Sequence, residues 1–232
     1  MTCTDLLEKI PTHCRPIDEF LKGGFLAGTV ALIYGEAETG KTTLAMQCAT
    51  NCARQGCKTL FVDPDRTFSA QRFSQIVPEQ FKEVPELIIL VRPNDFREQT
   101  LIVDRLTEYI NENFKLVVFD TITSLYSLRI AESPSKTFEL NRELNRQLAI
   151  LAQAARTRRI VILLTSQVHS VLNEVPVSIA PVATRVLKFW ADTVVALKLT
   201  ENPQAIEATV EKNPEKLPPK TFILRIEERG IH

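Results

Sequence analysis

The sequence predicts an α/β fold, with a mostly parallel central sheet flanked by helices and a C-terminal antiparallel hairpin. Three observations carry that expectation. Short runs rich in Val, Ile, Leu and Phe are apolar at consecutive positions, as strands covered on both faces must be. Amphipathic helical stretches separate these runs, and strand–helix alternation of this kind builds parallel sheets. Near the end the alternation stops, and two strand-like runs flank a Pro- and Lys-rich loop.

Taken in order, the strand-like runs are residues 30–34, 59–62, 87–91, 116–119, 160–165 and 193–199. Helical stretches lie at 41–55, 69–76, 96–111 and 138–156. In the third, Phe96, Val103, Leu106 and Ile110 share one face, and in the fourth Leu144, Leu148, Leu151 and Ala155 do so. Residues 205–210 and 221–226 form the expected hairpin around the loop 212–220. No internal repeat, low-complexity tract or flexible linker interrupts the pattern, so residues 1–232 read as a single domain.

Composition narrows the function. The 28 basic and 28 acidic residues cancel, so no global field draws the chain onto nucleic acid, and any such contact needs a local patch. No apolar run is long enough to span a bilayer, and residues 1–10 carry acids without an apolar block, unlike a signal peptide. A cytoplasmic protein without membrane contact is expected. Cys3, Cys14, Cys48, Cys52 and Cys57 are an odd set, which argues for free, core-filling thiols.

Residues Gly35-Glu36-Ala37-Glu38-Thr39-Gly40-Lys41-Thr42 fit the phosphate-binding pattern G-x-x-x-x-G-K-[ST], with Thr43 following. A strand enters this loop and a helix leaves it. That layout turns backbone N–H groups and the positive end of the helix toward phosphates. Lys41 is expected at the β- and γ-phosphates of ATP and the Thr42 hydroxyl on Mg2+. A strand-end acid near the metal is also needed, and Leu116-Val117-Val118-Phe119-Asp120 supplies one. Candidates for orienting the attacking water are Asp63 and Asp65, after the strand at 59–62, and Gln167, after the strand at 160–165.

These motifs, in order, resemble the RecA superfamily of recombinases, and within it the archaeal RadA paralogues of the RadB/RadC type. The resemblance runs through residues 10–25 (with Ile17-Asp18-Glu19-Phe20-Leu21), 35–45 and 61–73 (Phe61-Val62-Asp63-Pro64-Asp65-Arg66-Thr67-Phe68). It continues through 114–125, 144–148, 163–168 and 187–191 (Leu187-Lys188-Phe189-Trp190-Ala191). It implies a RecA-like P-loop ATPase core acting in DNA recombination or repair. Asp120 would then be the acid near Mg2+, Asp65 would stand where the family carries its catalytic glutamate, and Gln167 would be the switch glutamine. Residues 128–137 and 170–185 would be the two DNA-binding loops. Lys188 resembles a lysine that crosses a filament interface. The implied partners are single-stranded DNA, bound weakly, and the main recombinase or another repair protein.

The departures from that pattern bear on function. Asp65 is one methylene shorter than glutamate, which predicts slow turnover. Residues 168–181 hold no Lys or Arg, and 128–137 hold only Arg129 and Lys136. With Arg185 and Lys188, these are the candidate DNA-contacting cations. Asn213 is uncharged near the position of an acidic ATP cap. An N-terminal helical DNA-binding domain and a Phe-x-x-Ala plug are not found, so self-polymerisation is not expected. Arg156, Arg158 and Arg159 read as a solvated helix end, His169 as a polar loop residue, and Phe189 or Trp190 as packing at least in part. The alternative reading is a nucleotide-switched interaction protein of the KaiC-like branch, without DNA binding.

Overall fold

The computed structural model describes residues 7–77, 84–167 and 179–232, and each strand expected from the sequence is present there. The chain begins with β1 (Lys9–Ile10), α1 (Arg15–Phe20), β2 (Phe25–Leu26), β3 (Val30–Gly35) and α2 (Lys41–Arg54). It continues through β4 (Lys58–Val62), α3 (Ala70–Ile76), β5 (Ile88–Val91), α4 (Phe96–Asp104), α5 (Leu106–Tyr109) and β6 (Phe114–Phe119). Then follow α6 (Ser124–Glu132), α7 (Thr137–Arg158), β7 (Val161–Gln167), α8 (Ile179–Trp190) and β8 (Thr193–Leu199). The tail is β9 (Ala205–Lys212), β10 (Lys220–Glu227) and β11 (Gly230–Ile231).

The main sheet has the order β11-β10-β9-β8-β3-β7-β6-β4-β5. From β8 to β5 every neighbouring pair is parallel, whereas β8–β9, β9–β10 and β10–β11 are antiparallel. The helices divide into two layers. Ile17 of α1, Leu44 and Met46 of α2 and Phe73 of α3 pack on one face of the sheet, together with Ile206, Leu224 and Ile231 from the tail. Phe96, Leu106, Tyr126, Leu148 and Leu187 from α4 to α8 cover the other. Both faces being buried explains why β3, β6 and β7 are apolar at consecutive positions.

Helix boundaries have local causes. Asp95 caps α4 by accepting from Glu98 N at 2.8 Å, and Glu98 Oε2 in turn accepts from Asn94 N at 2.7 Å. Ser69 caps α3 through Arg72 N at 3.2 Å. Arg159 ends α7 in the left-handed region at φ 51°.

Four expectations need correction. The helix expected over 96–111 is divided at Arg105, although its apolar face survives, with Val103, Leu106 and Ile110 all buried. Residues 128–137, expected as a loop, are the end of α6 and a 3-10 turn at Pro134–Lys136, because Leu125, Tyr126 and Ile130 bury one face of a helix. Of the second expected loop, 170–178 lie outside the described residues, as does His169, and 179–185 belong to α8. Its Pro181 sits in the first turn, where a missing N–H leaves no bond unmade. Finally, Cys14, Cys48 and Cys52 are free and buried, but Cys57, just beyond the end of α2, is disulfide-bonded rather than free. Among the described residues no helix is long and apolar enough to cross a membrane.

Candidate functional site

Register in the sheet brings the site together. Gly35 at the end of β3 lies opposite Gln167 at the end of β7. Phe119 at the end of β6 lies opposite Leu164 of β7 and Val62 of β4. The residues that leave these strands, Asp63, Asp120 and the loop from Gly35, therefore emerge side by side at one edge. This is where an open α/β sheet binds ligands.

The loop between β3 and α2 closes around Lys41. Thr39 Oγ1 donates to Glu36 O at 2.9 Å, and the Lys41 ammonium donates to the same oxygen at 2.5 Å. Glycine is required at both ends. A Cβ on Gly35 would stand 2.2 Å from Leu197 O of β8, and Gly40 takes φ +81° at the N-cap of α2. With glycine as N-cap, no side chain engages the first N–H groups of α2. These are the orphan donors of a helix start, which suit an anion. Lys41 is buried, and burial lowers its pKa against the opposing pull of Asp120 and Glu36.

Asp120 is fully buried within a set of hydroxyls. Thr165 Oγ1 donates to Oδ1 at 2.5 Å, Thr67 Oγ1 donates to Oδ2 at 3.3 Å, and the Thr42 hydroxyl also donates to the carboxylate. Its pKa is nonetheless raised, by burial first and by the charge of Asp63 as well, while the three hydroxyls pull it down. The predicted Mg2+ pair, Thr42 and Asp120, is thus in direct contact.

Asp65 and Asp63 part company here. Asp65 is exposed, and its Oδ2 accepts from Thr121 Oγ1 at 2.9 Å, beside Asp120. Asp63 is buried and used up structurally. It accepts from Thr67 N at 2.8 Å and Phe68 N at 3.2 Å, and it pairs with Arg92 at 3.2 Å. Holding the 63–68 loop leaves Asp63 no oxygen for water.

The candidate DNA cations lie on α6, on the 3-10 turn after it and on α8. Arg129 pairs with Glu132 at 3.0 Å on α6, and Lys136 is exposed in the following 3-10 turn. Arg185 is exposed on α8. Lys188 is held by Glu211 at 2.8 Å and by Tyr34 Oη at 2.8 Å, in a partly exposed ion pair. Phe189 is 75% exposed, whereas Trp190 packs on the core and donates to Asn145 Oδ1 at 2.8 Å. Arg158 donates to Thr107 O at the opposite sheet edge. Asn213 closes the 212–220 loop by bonding both backbone groups of Leu217.

The sequence reading missed the hydroxyls. Thr165, Thr67, Thr121, and the Thr123–Ser166 pair at 3.1 Å line the corner around Asp120. For Thr165 and Ser166 the available signal was polar residues near the end of an otherwise apolar strand, whereas Thr67, Thr121 and Thr123 lie in the turns that follow β4 and β6.

Among the described residues no group of three or more His, Cys, Asp and Glu could hold a metal. One hydroxyl and one carboxylate remain, Thr42 and Asp120. That donor set fits Mg2+, which takes one or two protein oxygens and completes its shell with phosphate and water. The loop donors and Lys41 fit a triphosphate.

Known proteins resemble this chain over most of its length. The Rad51 family model matches residues 5–232. The DNA repair and recombination protein RadB of Methanococcoides burtonii is 34% identical over 193 residues, 83% of this chain and 84% of the relative. Its namesake in Methanobrevibacter smithii is 31% identical over 227 residues, 96% of this chain and 95% of the relative. The crystal structure of the RadB recombinase superposes with a TM-score of 0.76 at 28% identity, covering 96% of this chain and 98% of that one.

Proposed function

The chain belongs to the Rad51 family, and from that premise we propose that it binds ATP with Mg2+, hydrolyses it slowly, and serves DNA recombination or repair as a recombinase paralogue. The observation that carries the reading is the meeting of Lys41, Thr42, Asp120 and Asp65 at one sheet edge, with Gln167 one strand from Gly35.

Each residue has a role set by its position. The backbone of Gly35 to Thr43, with Glu36, Ala37, Glu38, Thr39 and Gly40 forming the turn, wraps the β- and γ-phosphates, and Lys41 supplies the compact charge among them. Thr42 and Asp120 would hold Mg2+. When bound, the ion neutralises phosphate charge and orients the terminal phosphoryl group. Asp65, fixed by Thr121, positions the attacking water. Being short of the family's glutamate by one methylene, it does so imperfectly, which supports slow turnover. Gln167, in register with Gly35, would sense the γ-phosphate, a reading its position at the end of β7 supports.

The family and the RadB relatives favour a DNA-directed role over a pure interaction protein. Single-stranded DNA is the proposed nucleic-acid partner. With Arg129 and Lys188 already paired, Lys136 and Arg185 carry most of the contact, so binding is weak and salt-sensitive. The protein partner is the main recombinase or another repair protein, met in the cytoplasm. The test is phosphate release from ATP by the wild-type chain and by Lys41→Ala, with and without single-stranded DNA at two salt concentrations. The wild type should hydrolyse and the variant should not. Equal rates would remove the P-loop reading, and DNA-independent kinetics with no DNA binding would favour the interaction protein.

A further inference from the structure

Two glutamines lie in the core behind the nucleotide corner. Gln99 of α4 and Gln147 of α7 are both fully buried, at positions where the apolar stripes of their helices would otherwise continue. Buried amides of this kind are expensive unless their bonds are made.

The direction of each bond follows from the chain of partners. Thr100 Oγ1 donates to Phe96 O at 2.8 Å, so its proton is placed and it accepts from Gln147 Nε2 at 2.8 Å. Gln147 therefore turns Oε1 toward Gln99. Gln99 Nε2 donates to that Oε1 at 3.0 Å and to Ile122 O at 3.2 Å. Flipping the Gln99 amide would set its oxygen against two acceptors, so the orientation is unique. One atom is left over: Gln99 Oε1 is buried without a hydrogen-bond partner among the described residues. An apolar pair would avoid that defect. What the amides provide instead is a fixed Ile122 carbonyl.

Ile122 is the far end of the turn that carries the site. Its N–H donates to Thr165 O at 3.1 Å, and Asp120 N donates to Val62 O at 2.9 Å. With Gln99 on the carbonyl of Ile122, the segment Asp120-Thr121-Ile122 is gripped from β4, β7 and α4. Thr121 in that segment holds Asp65. We infer that Gln99, oriented by Gln147, is a positioning residue for the turn after β6, setting Asp120 for the cation and Thr121 for Asp65. The kinetic consequence rests on the ATPase reading above; the structural one does not.

The experiment uses Gln99→Met, an unbranched side chain that keeps the packing, and Gln147→Met, which leaves the Gln99–Ile122 bond but frees its orientation. Amide hydrogen exchange over residues 120–127 should quicken in Gln99→Met, and less in Gln147→Met, while β3 stays protected. The same variants should need several-fold more Mg2+ for half-maximal binding of a fluorescent ATP analogue. In Gln99→Met kcat should fall about tenfold, with KM for ATP within about twofold. Unchanged exchange at 120–127, or loosening spread evenly over the domain with kcat per folded molecule intact, would overturn the inference. If the wild type binds no Mg2+–ATP, the functional reading falls and the exchange measurement still decides this one.

Discussion

Asp65 offers the sharpest test of how this corner works. It is exposed, so replacing it should barely touch the fold, by less than about 0.5 kcal/mol. Asparagine keeps an oxygen that can accept from Thr121 Oγ1, now at 2.9 Å, and removes only the charge that polarises the water. Groups that take or orient a proton in the transition state are worth about 10²–10⁴-fold. An exposed aspartate one methylene too far back belongs at or below the low end of that range. Asp65→Asn should therefore lower kcat about 10- to 100-fold, about 1.4–2.7 kcal/mol of barrier, with ATP affinity nearly unchanged. Asp65→Glu restores the missing reach and should raise kcat up to about tenfold, because about an ångström of misplacement is what it corrects. The assay is steady-state phosphate release, with single-turnover quench to separate chemistry from product release. Asp65→Asn hydrolysing at the wild-type rate would refute the assignment. Asp63 would not be the replacement, since its oxygens hold Thr67, Phe68 and Arg92.

Two further outcomes follow from the charges. Because burial raises the Asp120 pKa in the fold, its ionisation opposes folding: that cost is absent below the pKa of the unfolded chain, grows as pH rises from there, and is complete above the folded value. Asp120→Asn should then raise the melting temperature at pH 7 in the absence of nucleotide, on the order of 3 °C per kcal/mol gained, and the difference should vanish as the pH is lowered; a lowered melting temperature at pH 7 would contradict this. For DNA, the two cations without an ion pair among the described residues, Lys136 and Arg185, predict a log–log salt slope near about −1.4 for single strands, against about −2.8 if all four candidates engage. Releasing Arg129 with Glu132→Gln should steepen the slope by about 0.7, and salt-independent binding would place the contact on another surface.

Much of this was legible in the sequence because it depends on local pattern. Strands buried on both faces announce themselves by unbroken apolar runs, and the tight loop between β3 and α2 by glycines, one of which has no room for a Cβ, as Leu197 O shows at Gly35. Asp120 was legible because a carboxylate ending an apolar strand is conspicuous. What escaped is what depends on tertiary neighbours. Threonine near a strand end or in a loop reads as ordinary filler until Thr165 of β7 and Thr67 of the 63–68 loop are seen on Asp120. Asp63 and Asp65 are equivalent in sequence, and only the turn between β4 and α3 makes one an anchor and the other an exposed ligand of Thr121. Helix α6 was hidden by the Ser133-Pro134-Ser135 stretch that ends it, and the start of α8 by Pro181. Lys188 looked like an available cation because its partners, Tyr34 and Glu211, come from β3 and β9, far away along the chain.

The central claim is that this sheet edge is a nucleotide site, and equilibrium titration with ATP tests it most directly. Wild type and Lys41→Ala, matched for circular dichroism and melting temperature, would be titrated with and without Mg2+. The account predicts saturable binding of one ATP per chain to the wild type, strengthened by Mg2+ and lost in Lys41→Ala. Equal affinity in the two proteins, or no binding to the folded wild type, would contradict it.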